Sequence, residues 1–274
     1  MPVSRRFGSA TLIALTDGEG PFFEPRSTAF PRVTAELWRR ADEYDPGTVS
    51  ADGQWWLRFR CFAIRFDDGR VVMVDAGIGP AEAPARAWAP VPGRLPDELA
   101  AAGIDPAEVD TVVLTHLHTD HVGWAVTGGA PHFANARYVV QDAELAAVRA
   151  ANPELAAYLL DPLAATGQLH VVEGDRQLTP GVRVVATPGH TPGHQSVLLQ
   201  EGGKRVLLTG DLLVHPVQLI DPAQPYAHEV YPETARVSRE TLLRDLAARP
   251  SAVLATPHLT DPFITLGAPT EPAT

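Results

Sequence analysis

The 274-residue sequence has a single cysteine, Cys61, so it can form no internal disulfide and no metal cage built from thiolates. Cys61 opens the apolar run Cys61-Phe62-Ala63-Ile64, which predicts a buried, inert thiol. Lysine is almost missing: Lys204 is the only one among 22 basic residues. Those 22 face 33 acidic residues, a formal charge of −11, with a pI near 5.3. Nucleic-acid binding draws on Lys and Arg to displace counterions, so this balance argues against nucleic acid or an anionic membrane as a general partner. No run approaches the roughly 18 apolar residues that a membrane helix needs. Met1 to Gly8 carries charges but leads into no apolar stretch of signal-peptide length, so a cytoplasmic location is expected. A composition of 45% hydrophobic and 20% charged residues excludes a largely disordered chain. What the sequence does have is histidine, ten in all and unevenly spread.

Pattern and turn chemistry predict an α/β chain. Strands are read at 9–16, Trp55–Phe66, Arg70–Val74, Asp110–Thr115, Tyr138–Gln141, Leu169–Glu173, Val182–Thr187, Gln195–Gln200, Arg205–Thr209 and Ala252–Ala255. Asp67-Asp68-Gly69 reads as a hairpin turn, because Asp and Gly tolerate positive φ. Helices are read at Leu95–Ala102, closed by Gly103, and at Ala143–Ala151, Pro153–Thr166 and Pro232–Ala248. The last has Ser238, Arg239 and Arg244 on its polar side. Residues 20–54 are irregular around a short helical stretch near Thr34–Ala41. Arg70–Asp75 and Arg205–Asp211 are both strands that end in Asp, which suggests two related β-rich halves.

The chemistry concentrates in Thr115-His116-Leu117-His118-Thr119-Asp120-His121, directly after a short apolar strand. On extended backbone His116 and His118 point the same way. Neither packing nor solvation accounts for three imidazoles beside a carboxylate. Further pieces follow at other strand ends: Gly189-His190-Thr191-Pro192-Gly193-His194, then Gly210-Asp211, then Thr256-Pro257-His258. Rigid scaffolds tend to carry their functional groups at such loops.

The order His116-x-His118-x-Asp120-His121, His194, Asp211, His258 resembles the metallo-β-lactamase superfamily, over roughly residues 9–260. Asp75 in Val74-Asp75-Ala76-Gly77 matches an Asp of that family as well. The resemblance implies a four-layer αββα sandwich formed by one domain, residues 1–274, with 20–54 as an N-terminal insertion and 268–274 as a frayed tail. It also implies two divalent metal ions, zinc first and iron, cobalt or manganese as alternatives. On it His116, His118 and His194 hold one metal, Asp120, His121 and His258 hold the other, and Asp211 bridges both. His190 matches no ligand position and is read as a residue that steadies its loop. A metal-bridging hydroxide would be the nucleophile, with Asp120 passing a proton to the leaving group.

Within the superfamily, di-iron oxygen reductases carry Glu where this chain has His118, and true β-lactamases carry Cys where it has Asp211. Residues 259–274 contain no Lys or Arg, which speaks against a glutathione thioesterase. The strings Asp120-His121-Val122-Gly123-Trp124 and Thr187 to Ser196 resemble quorum-quenching N-acyl-homoserine lactonases and methyl-parathion-hydrolase-like enzymes. The implied substrate is a small lactone or ester. Organophosphates, thioesters and a mononuclear iron persulfide dioxygenase stay open as alternatives. Some lactonases place a Tyr three residues after the bridging Asp; here that position is Val214, leaving His215, Tyr226 or Tyr231 for the role. Pocket walls are sought in Phe22, Phe23, Phe30, Trp124 and Phe263, and the resemblance allows a homodimer through Phe22, Phe23 and Trp38.

Overall fold

A computed structural model describes residues 1–249 and 251–266, so the expected tail at 268–274 lies outside the described residues. Fifteen strands appear among them. They are β1 (Val3–Phe7), β2 (Ala10–Pro21), β3 (Trp56–Phe66), β4 (Val71–Val74) and β5 (Thr111–Val113). Next come β6 (Val126–Thr127), β7 (Ala130–Pro131), β8 (Arg137–Gln141) and β9 (Leu169–Val172). The last six are β10 (Arg176–Thr179), β11 (Val182–Ala186), β12 (Gln195–Glu201), β13 (Lys204–Leu208), β14 (Val253–Ala255) and β15 (Phe263–Thr265). Apart from the small β6–β7 hairpin, they form a seven-stranded sheet, β1-β2-β3-β4-β5-β8-β9, and a six-stranded sheet, β10-β11-β12-β13-β14-β15.

Alternation along the strands determines the layers. On β2, Leu12 and Ala14 face the other sheet, where they join Phe62, Val72, Val197, Val206 and Val253 in the inter-sheet core. Ile13 and Leu15 face outward onto the helix Leu95–Ala102 and the helical segment 153–165, through Leu95, Leu99, Leu159 and Leu163. On the second sheet Leu198, Leu207 and Leu254 face outward onto Leu243 and Leu246 of the helix Pro232–Ala247. Helix, sheet, sheet and helix therefore stack in four layers, the expected sandwich. The related halves are visible too: β3–β4 is antiparallel and β4–β5 parallel, as β12–β13 is antiparallel and β13–β14 parallel.

Several boundaries differ from the sequence reading. Strands β1, β10 and β15 were not anticipated; each is a sheet edge and short, so none carries the long apolar alternation of an interior strand. The helix read at Pro153–Thr166 is interrupted by a wider π-type turn over Ala156–Leu160, just ahead of Pro162, which has no N–H to donate. Gly103 ends Leu95–Ala102 at φ 64, a left-handed cap suited to glycine. Arg239 is not on a polar face: it is fully buried. It pairs with Glu229 at 2.7 Å and donates to the carbonyls of Leu212, Pro222 and Gln224. No described helix is long and apolar enough to cross a membrane.

Candidate metal centre

Four loops at strand ends converge on one place. The first follows β5 and carries His116, His118, Asp120 and His121. Backbone hydrogen bonds from Asp75 N to Val113 O and from Ala76 N to His121 O dock the segment after β4 against it. The second follows β11 with His190 and His194, the third follows β13 with Asp211, and the fourth follows β14 with His258. Each approach is tight. A Cβ on Gly210 would lie 2.8 Å from His194 Nε2 and from Thr115 Cβ, and one on Gly189 (φ 134) would meet Ala235 N at 2.1 Å.

The donors form two groups. His116, His118, His190 and Asp211 present ligand atoms within 4.8 Å of one another, as do Asp120, His121 and His258. Asp211 reaches both. Its Oδ2 lies 3.1 Å from His190 Nε2 and 3.7 Å from His116 Nε2. Its Oδ1 lies 3.2 Å from His121 Nε2 and 3.1 Å from His258 Nε2. Asp120 Oδ2 lies 3.4 Å from His121 Nε2.

His194, which the resemblance implies as a ligand, lies outside both groups, and His190 lies within the first. Both nitrogens of His194 have partners in the surrounding loops. Its Nδ1–H donates to Thr187, 3.1 Å from the carbonyl and 2.8 Å from Oγ1. Its Nε2 accepts the N–H of Asp211 at 2.9 Å. His190 Nε2 instead faces His118 Nδ1 at 3.0 Å and Asp211. Both residues lie in one Gly/Pro loop, four positions apart.

The surrounding hydrogen bonds set the tautomers. His121 Nδ1–H donates to Asp75 Oδ2 at 2.8 Å, and His258 Nδ1–H donates to the Arg58 carbonyl at 2.8 Å. The Thr115 hydroxyl donates to Asp75 at 2.9 Å and accepts from His116 Nδ1 at 3.1 Å. The Nε2 atoms of His116, His121 and His258 are thereby turned toward the centre, the arrangement that outer hydrogen bonds give to metal-binding imidazoles.

Whether these residues fit a cation can be judged from their electrostatics. His116 Nε2, His121 Nε2 and His190 Nδ1 are buried with no hydrogen-bond partner. Burial pushes the His118 imidazole down to about 3, and that of His116 well below its usual value, so these rings stay neutral with lone pairs available. Burial also works against a charge on Asp211, but His121, His258 and His190 hold its carboxyl well below the carboxylate range. Burial opposes a charge on His121 as well, yet Asp120, Asp211 and Asp75 hold that imidazole well above its usual value. Buried carboxylates with only imidazoles as counter-charge, beside unpaired ring nitrogens, form a place that calls for positive charge. Nitrogen and oxygen donors without thiolate suit zinc, iron, cobalt or manganese.

The centre forms the floor of a cavity of about 310 Å³. His118, Asp120, His190, Asp211 and His258 line its base, and Phe22, Phe23, Trp55, Leu57, Trp88 and Val214 form much of its wall. No Lys or Arg lines it. Of the anticipated wall residues, Phe22 and Phe23 line the cavity. Phe30 is buried in the N-terminal aromatic cluster and Phe263 lies between the sheets. Trp124 packs against the outer helical layer, and its indole N–H donates to Asp17 at 3.0 Å. Trp55, Leu57 and Trp88 were missed, since nothing in their local sequence marks them apart from core aromatics. Of the residues left open to stand in for Val214, His215 is packed among Phe30, Trp38 and Trp55 and Tyr231 is exposed. Tyr226 lines the cavity, its ring parallel to His190 with centroids 6.0 Å apart, and its hydroxyl makes no hydrogen bond among the described residues.

Known proteins resemble this chain in sequence and in fold. The family model of the metallo-beta-lactamase superfamily matches residues 60–258. An N-acyl homoserine lactonase of Bacillus sp is 37% identical over 119 residues, 43% of this chain and 44% of its own length. The N-acyl homoserine lactonase AttM of Rhizobium radiobacter is 36% identical over 130 residues, 42% of this chain and 45% of its own. The matched part thus spans less than half of these curated relatives. Among solved structures, the hydrolase AbOPH superposes with a TM-score of 0.80 at 22% identity, covering 99% of this chain and 98% of that one. AidC, a dizinc quorum-quenching lactonase, gives 0.78 at 20% identity with the same coverage, which shows a shared fold. With the family model spanning most of its length and the fold in agreement, the chain belongs to the metallo-β-lactamase superfamily.

Proposed function

We propose that this protein is a dinuclear metal-dependent hydrolase of neutral lactone or ester substrates. The observation that carries the reading is Asp211, whose two carboxylate oxygens face two separate groups of donors. His116, His118 and His190 would hold one divalent ion, Asp120, His121 and His258 the second, with Asp211 shared. Such a pair supplies an acidified water and a polarised carbonyl at neutral pH.

The chain's own residues do the rest. Phe22, Trp55, Leu57, Trp88 and Val214 exclude water and receive the apolar part of the substrate. The Tyr226 hydroxyl, free of other partners, donates to the carbonyl oxygen and fixes its orientation. Burial first, then the charges of Asp211 and Asp120, push Tyr226 well above the usual phenol value, so it remains a donor at every working pH. Asp120 opens onto the cavity and carries the proton to the departing alkoxide. A wall without Lys or Arg favours neutral esters over anionic glutathione thioesters. On this reading the described residues form one catalytic domain, and the segment 20–54 furnishes part of its pocket.

The test is a metal count with a substrate panel: homoserine lactones, aryl esters, paraoxon and S-lactoylglutathione, on the wild type and Asp120→Asn. About two metal ions per chain, lactone or ester turnover, and its loss in Asp120→Asn are expected. Turnover untouched by Asp120→Asn would refute the assignment of the proton carrier. A single iron per chain with oxygen uptake on a persulfide would refute the hydrolase reading itself.

A further inference from the structure

Glu144 is 2% exposed, in the first turn of the helix Asp142–Ala151. Its two oxygens serve two different loops. Oε1 accepts the N–H of Leu117 at 2.9 Å, and Oε2 accepts the N–H of Gly193 at 2.9 Å. Leu117 stands between His116 and His118, and Gly193 stands three residues after His190. These N–H groups are the carboxylate's only partners among the described residues.

The contact is close enough to constrain the sequence on both sides. A Cβ on Gly193 would lie 2.2 Å from the Glu144 backbone nitrogen and 2.5 Å from its Cβ, so only glycine lets this loop reach the helix start. The acid is demanded as well. A glutamine has one acceptor oxygen, and its NH2 would meet the second N–H donor to donor. Each oxygen of this buried side chain accepts one backbone N–H, and the two N–H groups come from different loops. What it achieves is a fixed separation between two loops whose side chains share one cluster.

We infer that Glu144 is a positioning residue, which sets the distance of the His116–His118 segment from the His190 loop and thereby the affinity of that cluster for its metal. The inference rests on the dinuclear reading above. It concerns a residue that does not itself reach the metal or the substrate.

The experiment uses the full chain as wild type, Glu144→Gln and Glu144→Ala. Each is loaded with zinc and titrated with a chromophoric chelator. Each is also loaded with cobalt for its visible spectrum, and melted with and without metal. Zinc retention should fall in the order wild type, Gln, Ala, by about 10–100-fold overall, because Gln keeps one of the two hydrogen bonds. The cobalt bands should shift, and the rise in melting temperature that zinc gives the wild type should shrink in the variants. Variants that hold zinc as tightly as the wild type, with unchanged cobalt bands, would overturn the inference. So would variants that lose the same melting temperature with and without metal, since Glu144 would then support the fold alone. A wild type that takes up no metal refutes the parent reading first, and this one with it.

Discussion

The imidazole of His194 accepts the backbone N–H of Asp211 at 2.9 Å, while the neighbouring loop residue His190 points its Nε2 at the Asp211 carboxylate at 3.1 Å. One histidine therefore holds the backbone of Asp211 and the other shares its side chain. Their substitutions should differ in kind. His190→Ala removes a donor and should lower the metal content by about one ion per chain. His194→Ala should keep both ions but release them to a chelator about 10–100-fold more readily. Metal analysis after gel filtration, with chelator titration, separates the two; the reverse pattern would make His194 the ligand, as the motif order implies.

Tyr226 offers a second, independent check. Its hydroxyl faces the cavity without a partner, so Tyr226→Phe should leave stability and metal content unchanged. If that hydroxyl donates to a developing oxyanion, kcat should fall about 100-fold, with a smaller change in KM. Steady-state kinetics on the best substrate of the panel decides this. An unchanged kcat removes Tyr226 from the reaction.

The pair Arg239–Glu229 links the outer helix to the pocket wall. Glu229 Oε1 takes the Arg239 guanidinium at 2.7 Å, and Oε2 accepts the N–H of Tyr226 at 3.1 Å. Both side chains are about 1% exposed. Arg239→Met leaves a buried carboxylate uncompensated and should cost about 3–5 kcal/mol in urea unfolding. Replacing both partners, Arg239→Met with Glu229→Gln, should recover part of that loss. A cost under about 1 kcal/mol for the single substitution would show the pair to be superfluous.

His215 predicts how stability varies with acid. Burial, aided by the charge of Arg26, pushes its imidazole down to about 3. The unfolded chain binds the proton near pH 6.5 and the folded chain does not, so stability falls as pH drops below about 6.5. Between pH 7 and 5 the contribution of this one ring is about 2 kcal/mol. Urea unfolding at both pH values should show His215→Gln losing less stability than the wild type over that interval. An equal loss in the two proteins would assign the acid sensitivity to other groups.

Much of this architecture was legible in the residues. Apolar patterning gave most interior strands and Gly103 gave a helix boundary, because each depends on near neighbours, whereas the four-layer sandwich was implied by the resemblance of the His/Asp motif. Edge strands such as β1 and β10 were not legible, since what makes them strands is pairing with a distant segment. The fate of Arg239 was likewise hidden: its counter-charge, Glu229, comes from ten residues away and outside its own helix. Trp55 and Trp88 became pocket walls only through the way segments meet.

By itself the sequence determined the chemistry of the centre. One cysteine, buried at Cys61, left nitrogen and oxygen donors, and the histidines gathered at strand ends could be paired with Asp120 and Asp211 without coordinates. Four of the five histidines that chain order suggested, His116, His118, His121 and His258, lie in the two donor groups, and His190 lies with them. The tertiary structure set the different surroundings of His190 and His194. The two rings are four residues apart on a loop rich in glycine and proline. Its path is set by what the loop packs against: Ala235 beside Gly189, Glu144 beside Gly193, and Thr187 and Asp211 around the His194 ring. A local pattern specifies which donors are available; which of them turns inward depends on contacts made by residues far away in the chain.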